Sequence, residues 1–194
     1  MKAKRVRGLE PDMPLADAAE RIVRVRLGEL CDLAAQSQTP EAVRQLHDTR
    51  IAAKRLRYVL EITAPCFGPY APSATKRAKE IQDLLGEIHD RDVQVPMLAE
   101  HLETLRERGD EAARRLVAQE QRARANGAAA SEATYRSFRR RLDAWSRADQ
   151  RPGIEALLAR RRRERDALYA RFLGEWARLR EDGFRGRLEG VLGI

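Results

Sequence analysis

Apolar residues recur three and four positions apart along most of this chain, the spacing that puts them on one face of a helix. Ala19, Ile22, Val23, Leu30 and Leu33 mark such a face over Leu15 to Gln36. Thr39-Pro40, an N-cap residue followed by proline at the first helical position, predicts the start of a second helix. It runs to about Ala64 with Leu46, Ala53, Leu56, Val59 and Leu60 on one side, and stops before Pro65, with Gly68-Pro69 beyond. A third helix begins near Ser73 and turns Ile81, Leu84, Leu85 and Ile88 inward; Pro96 is expected to kink or break it. Gly109 to Ala125 reads as a charged, weakly amphipathic helix that Asn126-Gly127 ends. Ser131 opens another, carrying Tyr135, Phe138, Leu142 and Trp145. After the breaker Arg151-Pro152-Gly153 a long helix extends to about Asp182, stopped by Gly183, and Phe184 to Leu192 forms a short amphipathic tail. No run of alternating β-branched residues suggests a strand. Short loops between long helices imply antiparallel neighbours. The expected fold is all-α, an antiparallel bundle of long helices, with residues 1–14 as a basic extended arm and 15–194 as one helical domain, in which 105–150 is a divergent helical segment.

The chain has 194 residues, 35% charged and only 5% aromatic, with a formal net charge of +8. Such an excess points to a polyanion, although arginine-rich solvated helix faces account for part of it. Cys31 and Cys66 fall on predicted helical segments among apolar neighbours, as free thiols of a reducing cytoplasm do. The basic residues after Met1 are followed by no apolar stretch of signal-peptide type, and no apolar run approaches a membrane span. The expected location is therefore cytoplasmic.

The placement of the charges is more informative than their number. On the second helix His47, Arg50, Lys54 and Arg57 fall on one narrow strip, away from the apolar side. Like charges at this spacing repel by a few tenths of a kcal/mol per pair, so the strip is either solvated or holds an anion. On the third helix Lys79, Gln82, Gly86, His89 and Asp90 cluster away from the apolar face. Lys79, Gln82 and His89 can donate to an oxyanion, and Gly86 suggests a close approach; the alternative is a Lys79–Asp83 pair with His89 packed or capping. Arg26 lies within the apolar stripe of the first helix, and Arg161 and Arg165 within that of the last, which Ile154, Leu157, Leu158, Leu168, Phe172 and Trp176 define. A buried charge without a partner costs several kcal/mol. These arginines must reach the rim, pair with buried carboxylates, or line a wet cavity that binds an anion; taken with the strip, the cavity is the better joint account.

The stretch His47 to Tyr58, H-x-x-R-x-x-x-K-R-L-R-Y, resembles the signature of the CHAD domain, the conserved histidine α-helical domain. Lys79 to Val93 resembles that family's L-Q-x-x-L-G-x-x-x-D-x-x-V helix, and Leu157-Leu158 with Arg162, Glu164 and Arg165 resembles its L-L-x-x-x-R-x-E-R pattern. The resemblance implies antiparallel helices around a basic groove or channel. It also implies non-catalytic binding of inorganic polyphosphate, often at polyphosphate granules. It carries over His47, Arg50, Lys54, Arg57, Lys79, Gln82, His89, Arg162 and Arg165 as binding residues; Arg26 and Arg161 rest on the face argument alone. Full CHAD domains hold two pseudo-symmetric halves, and only one clear His/Arg motif is present here, so this is either a short form or one half of a homodimer that rebuilds the channel. No catalytic residue, metal site or cofactor is expected. Two alternatives stand beside this reading. One is a metal-dependent phosphohydrolase using the pairs His47-Asp48 and His89-Asp90; the other is a non-specific nucleic-acid-binding helical protein.

Overall fold

A computed structural model describes residues 2–125, 136–137, 139–140, 144 and 149–191. Among the described residues the chain is helical and contains no strand. Five helices can be followed: α1 Leu15–Gln36, α2 Val43–Ile62, α3 Ala71–Ala125, α4 Arg151–Glu181 and α5 Phe184–Val191. Two short 3₁₀ turns, Ala64–Cys66 and Gly68–Tyr70, join α2 to α3. The chain divides into two compact units, Met1–Asp92 with Arg163–Ile194, and Val93–Arg162.

The core of the first unit follows the predicted faces. Ala19, Val23, Leu27, Leu30 and Ala34 of α1 meet Leu46, Ala52, Ala53, Leu56 and Leu60 of α2. Ala71, Ala74, Ala78, Ile81, Leu84, Leu85 and Ile88 of α3 join them, with Tyr169, Phe172, Trp176 and Leu179 of α4 and Phe184 and Leu188 of α5. Alanine at so many of the buried positions lets helices approach closely, and burying the larger side chains supplies about 1.5–3 kcal/mol each. Small polar residues tie the elements together inside this core. The Ser37 and Thr49 hydroxyls share a hydrogen bond of 2.9 Å, and the Tyr169 hydroxyl donates to the Ser37 carbonyl. In the second unit, Leu102 and Leu158 are buried, and Arg106 pairs with Glu155 at 2.9 Å.

Three element boundaries differ from expectation. Helix α2 starts at Val43 rather than at Thr39-Pro40. Those residues form a turn instead, in which the Ala42 amide donates to the Thr39 carbonyl, and the Pro40 carbonyl is taken by Arg165 of α4. Proline there fixes a turn that serves a tertiary contact, and the capping signal is overridden. Helix α3 does not break at Pro96 but continues through the expected helical stretch Gly109 to Ala125. Pro96 removes the amide that would bond the Asp92 carbonyl, one missing bond in a helix of 55 residues. Arg151-Pro152-Gly153 is the first turn of α4, where a proline's missing N–H costs nothing. Gly183, at φ +67°, ends α4 as expected, because a left-handed residue there turns the chain into α5. The predicted break at Asn126-Gly127 and the helix carrying Tyr135, Phe138, Leu142 and Trp145 lie outside the described residues.

Residues 2–14 contain no helix, yet they are held against α1. The Lys4 amide donates to the buried carboxylate of Glu29, its ammonium meets Asp32 at 2.8 Å, and its carbonyl accepts from Arg26 at 3.0 Å. Further along, Arg21 donates to the Gly8 carbonyl.

Candidate functional site

The polar strip of α2 exists as read. Leu46, Thr49, Ala53, Leu56 and Leu60 take the core side, leaving His47, Arg50, Lys54 and Arg57 half-buried beside them. The facing element is α3. The His47 and His89 rings meet with centroids 4.6 Å apart, and one turn on, Arg50 crosses α3 at Gly86, where an added Cβ would stand 3.5 Å from its Nε. Moving three residues forward on α2 thus moves three residues back on α3, the register of an antiparallel pair. At a constant rise per residue the same register sets Lys54 against Gln82 and Arg57 against Lys79. Of the seven residues that the helix-two and helix-three patterns singled out, His47, Arg50 and His89 meet across the two helices, and the register extends the two rows to the other four.

The inner part of these rows is short of partners. His47 Nδ1, Arg50 Nε and Gln82 Oε1 are buried and make no hydrogen bond, and the same holds for Arg57 Nε at the other end of the α2 row. Such atoms cost about 1–3 kcal/mol each when left unsatisfied. The Gln82 NH₂ donates to Asp83 at 3.4 Å, so a 180° turn that presents it in place of Oε1 gives up that bond. Arg50 and Lys54 have no carboxylate partner among the described residues, and Lys54 instead lies 5.6 Å from the centre of the Tyr58 ring. Burial foremost, then the charge of His89, pushes His47 below the ordinary 6.5; Arg50 adds to the shift and Asp48 opposes it. The His47 imidazole is therefore neutral at pH 7.

The outer end is different. Arg57 Nε lies 3.0 Å from Glu61 and packs on the Tyr58 ring at 4.6 Å. Lys79 is exposed and pairs with Asp83, the alternative that its spacing had left open.

Two of the three arginines set within apolar stripes are accounted for by pairing. Arg26 is held by Glu29 and the Lys4 carbonyl, with side chains 12% and 1% exposed, so its burial requires no anion. Arg165 reaches Asp92 at 2.9 Å, donates to the Pro40 carbonyl and lies over the Tyr169 ring. Beside it Arg91 meets Glu164 at 2.9 Å. Arg161 and Arg162 belong to the second unit, the first half-buried and the second exposed. Sequence reasoning missed Glu29 and Glu61, although both stand one helical turn from the arginine they hold. It also missed Asp92 as the partner of Arg165, for which no local spacing gives a signal.

Among the described residues no group of three or more His, Cys, Asp or Glu side chains could hold a metal ion, which leaves the phosphohydrolase alternative without a ligand set there. Cys31 and Cys66 are free and half-buried, and burial raises the Cys31 thiol above its ordinary range. No helix among the described residues is long and apolar enough to cross a membrane.

A family model described as the CHAD domain matches residues 2–99, about half of the chain. No curated protein and no solved structure gives a match.

Proposed function

From the premise that this chain belongs to the CHAD domain family, we propose that the facing rows of α2 and α3 bind inorganic polyphosphate without acting on it chemically. The observation that carries this reading is the set of buried polar atoms with no hydrogen bond, on His47, Arg50, Arg57 and Gln82, together with two cations, Arg50 and Lys54, that no carboxylate among the described residues neutralises. A phosphate oxygen supplies what each lacks: an acceptor for the Arg50 N–H, for the Lys54 ammonium and for a turned Gln82 amide. The ligand class follows from what accompanies these donors. Tyr58 is the aromatic side chain beside the strip, and Lys54 and Arg57 already lie against its ring, so the site offers cations and amide donors rather than stacking platforms. A repeating anion with neither rings nor base edges suits such a surface. In this reading His47, Arg50, Lys54 and Arg57 form one wall of a basic groove and Lys79, Gln82 and His89 the other. Arg165 ties α3 to the turn before α2 through Asp92 and the Pro40 carbonyl, while Arg26 fastens the arm to α1.

The test is titration calorimetry with long-chain polyphosphate at moderate salt. Arg50→Ala with Lys54→Ala should weaken binding by at least tenfold, two charge-assisted contacts being lost. Unchanged affinity in that double variant refutes the site. Equal displacement of polyphosphate by duplex DNA or RNA at matched phosphate concentration refutes the ligand class. Release of orthophosphate from polyphosphate by the purified protein refutes the non-catalytic role.

A further inference from the structure

The two facing rows are unequally prepared for a ligand, and this asymmetry has a direction along the helices. At the inner end Arg50 and Lys54 have no carboxylate partner among the described residues; at the outer end each cation has a carboxylate of its own helix beside it, although Arg57 Nε makes no hydrogen bond to it. Glu61 meets Arg57 at 3.0 Å, and Asp83 pairs with Lys79. Both carboxylates are solvent-accessible, 43% and 47% exposed, so either can swing away without being left buried. From His47 to Arg57 the α2 row spans about 15 Å at the helical rise, roughly the length of five consecutive phosphates.

Resting on the reading of this face as a polyphosphate site, we propose that a linear phosphate chain lies lengthwise along it, and that Glu61 and Asp83 are internal competitors which reserve the outer cations for chains long enough to reach them. A pyrophosphate fills the inner positions at Arg50 and Lys54 and does not reach the Arg57–Glu61 and Lys79–Asp83 pairs. A longer chain presents further phosphates to Arg57 and Lys79, displaces both carboxylates and gains two more cations. The cost of that exchange is small because exposed ion pairs are weak. The gain is also modest, so the outer end adds discrimination by length more than raw affinity.

Replacing the competitors should therefore strengthen binding, an effect that misfolding cannot imitate. Affinities of the wild type and of the Glu61→Gln, Asp83→Asn double variant would be measured by calorimetry for pyrophosphate, tripolyphosphate and long-chain polyphosphate. A second double variant, Glu103→Gln with Glu111→Gln, makes the same change in net charge in the second unit and controls for the general field. The expected result is a gain of about three- to tenfold for long-chain polyphosphate in the first variant, less than about twofold for pyrophosphate, and no such difference in the control. An equal gain for both ligands, a matching gain in the control, or no gain at all overturns the competitor proposal while leaving the site itself standing. Failure of the wild type to bind any of the three ligands overturns the polyphosphate reading, and this proposal with it.

Discussion

His47 illustrates how one side chain couples the fold to the pH of its surroundings. Burial first, then the charges of His89 and Arg50 beside it, hold it below the ordinary 6.5. Between that lowered value and 6.5 the unfolded chain binds more protons than the folded one, so stability rises with pH across this window and is lost as pH falls through it. Urea midpoints at pH 7.5 and pH 5.5 should show a larger drop in the wild type than in His47→Gln, which lacks the titrating group. A saturating anion beside the ring opposes the shift and should flatten the difference. The buried pair of Arg165 and Asp92, with side chains 11% and 9% exposed, makes a sharper prediction. Arg165→Met alone leaves a buried carboxylate without its partner and should cost about 3–5 kcal/mol, whereas Arg165→Met with Asp92→Leu should cost clearly less. A double-mutant cycle by chemical denaturation reads both. The strip on α2 was visible in the sequence because a helix repeats by itself; the partner of Arg165 was not, because a contact over 73 residues leaves no periodic trace.

At the scale of the helices, Gly86 is the point where the Arg50 side chain of α2 crosses α3. A glycine inside a helix costs about 1 kcal/mol relative to alanine. A Cβ at this position would stand 3.5 Å from Arg50 Nε, an ordinary contact. Gly86→Ala should accordingly raise stability by up to about 1 kcal/mol and leave anion binding nearly intact. Gly86→Leu should push the Arg50 side chain off α3 and weaken polyphosphate binding several-fold, with thermal melts separating this from loss of fold. Pro96 gives the converse case. It sits in an exposed stretch of an unbroken helix, and Pro96→Ala should stabilise the chain by about 1 kcal/mol or more by restoring the amide that the Asp92 carbonyl lacks. Apolar periodicity located α1 to the residue and the inward faces of α2 and α3 nearly so. The antiparallel register between α2 and α3 was beyond its reach, because periodicity orients one helix at a time and says nothing about which turn of a neighbour it meets.

Across the whole molecule the charge of +8 conceals two populations of cations. Many, such as Arg26, Arg165 and Arg106, are already matched by carboxylates. Arg50 and Lys54 of α2 have no carboxylate partner among the described residues, and under the proposed function those two set the response of binding to ionic strength. Binding of a single-stranded polyanion loses affinity with a logarithmic slope of about 0.7 per contact, so Arg50→Ala should lower the salt slope by about that amount, and Arg106→Ala should leave it unchanged. Affinities from 50 to 300 mM salt measure both slopes. The all-α class followed from composition and pattern together, but the matching of charge was legible only where partners stand three or four residues apart. The arm along α1 shows what this matching does to a segment without regular structure. Its Lys4 amide is bonded to a carboxylate that is only 1% exposed, while the flanking residues lie open to solvent. In deuterium exchange that single amide should persist long after its neighbours have exchanged, a lone slow proton reporting how firmly the start of the chain is fastened.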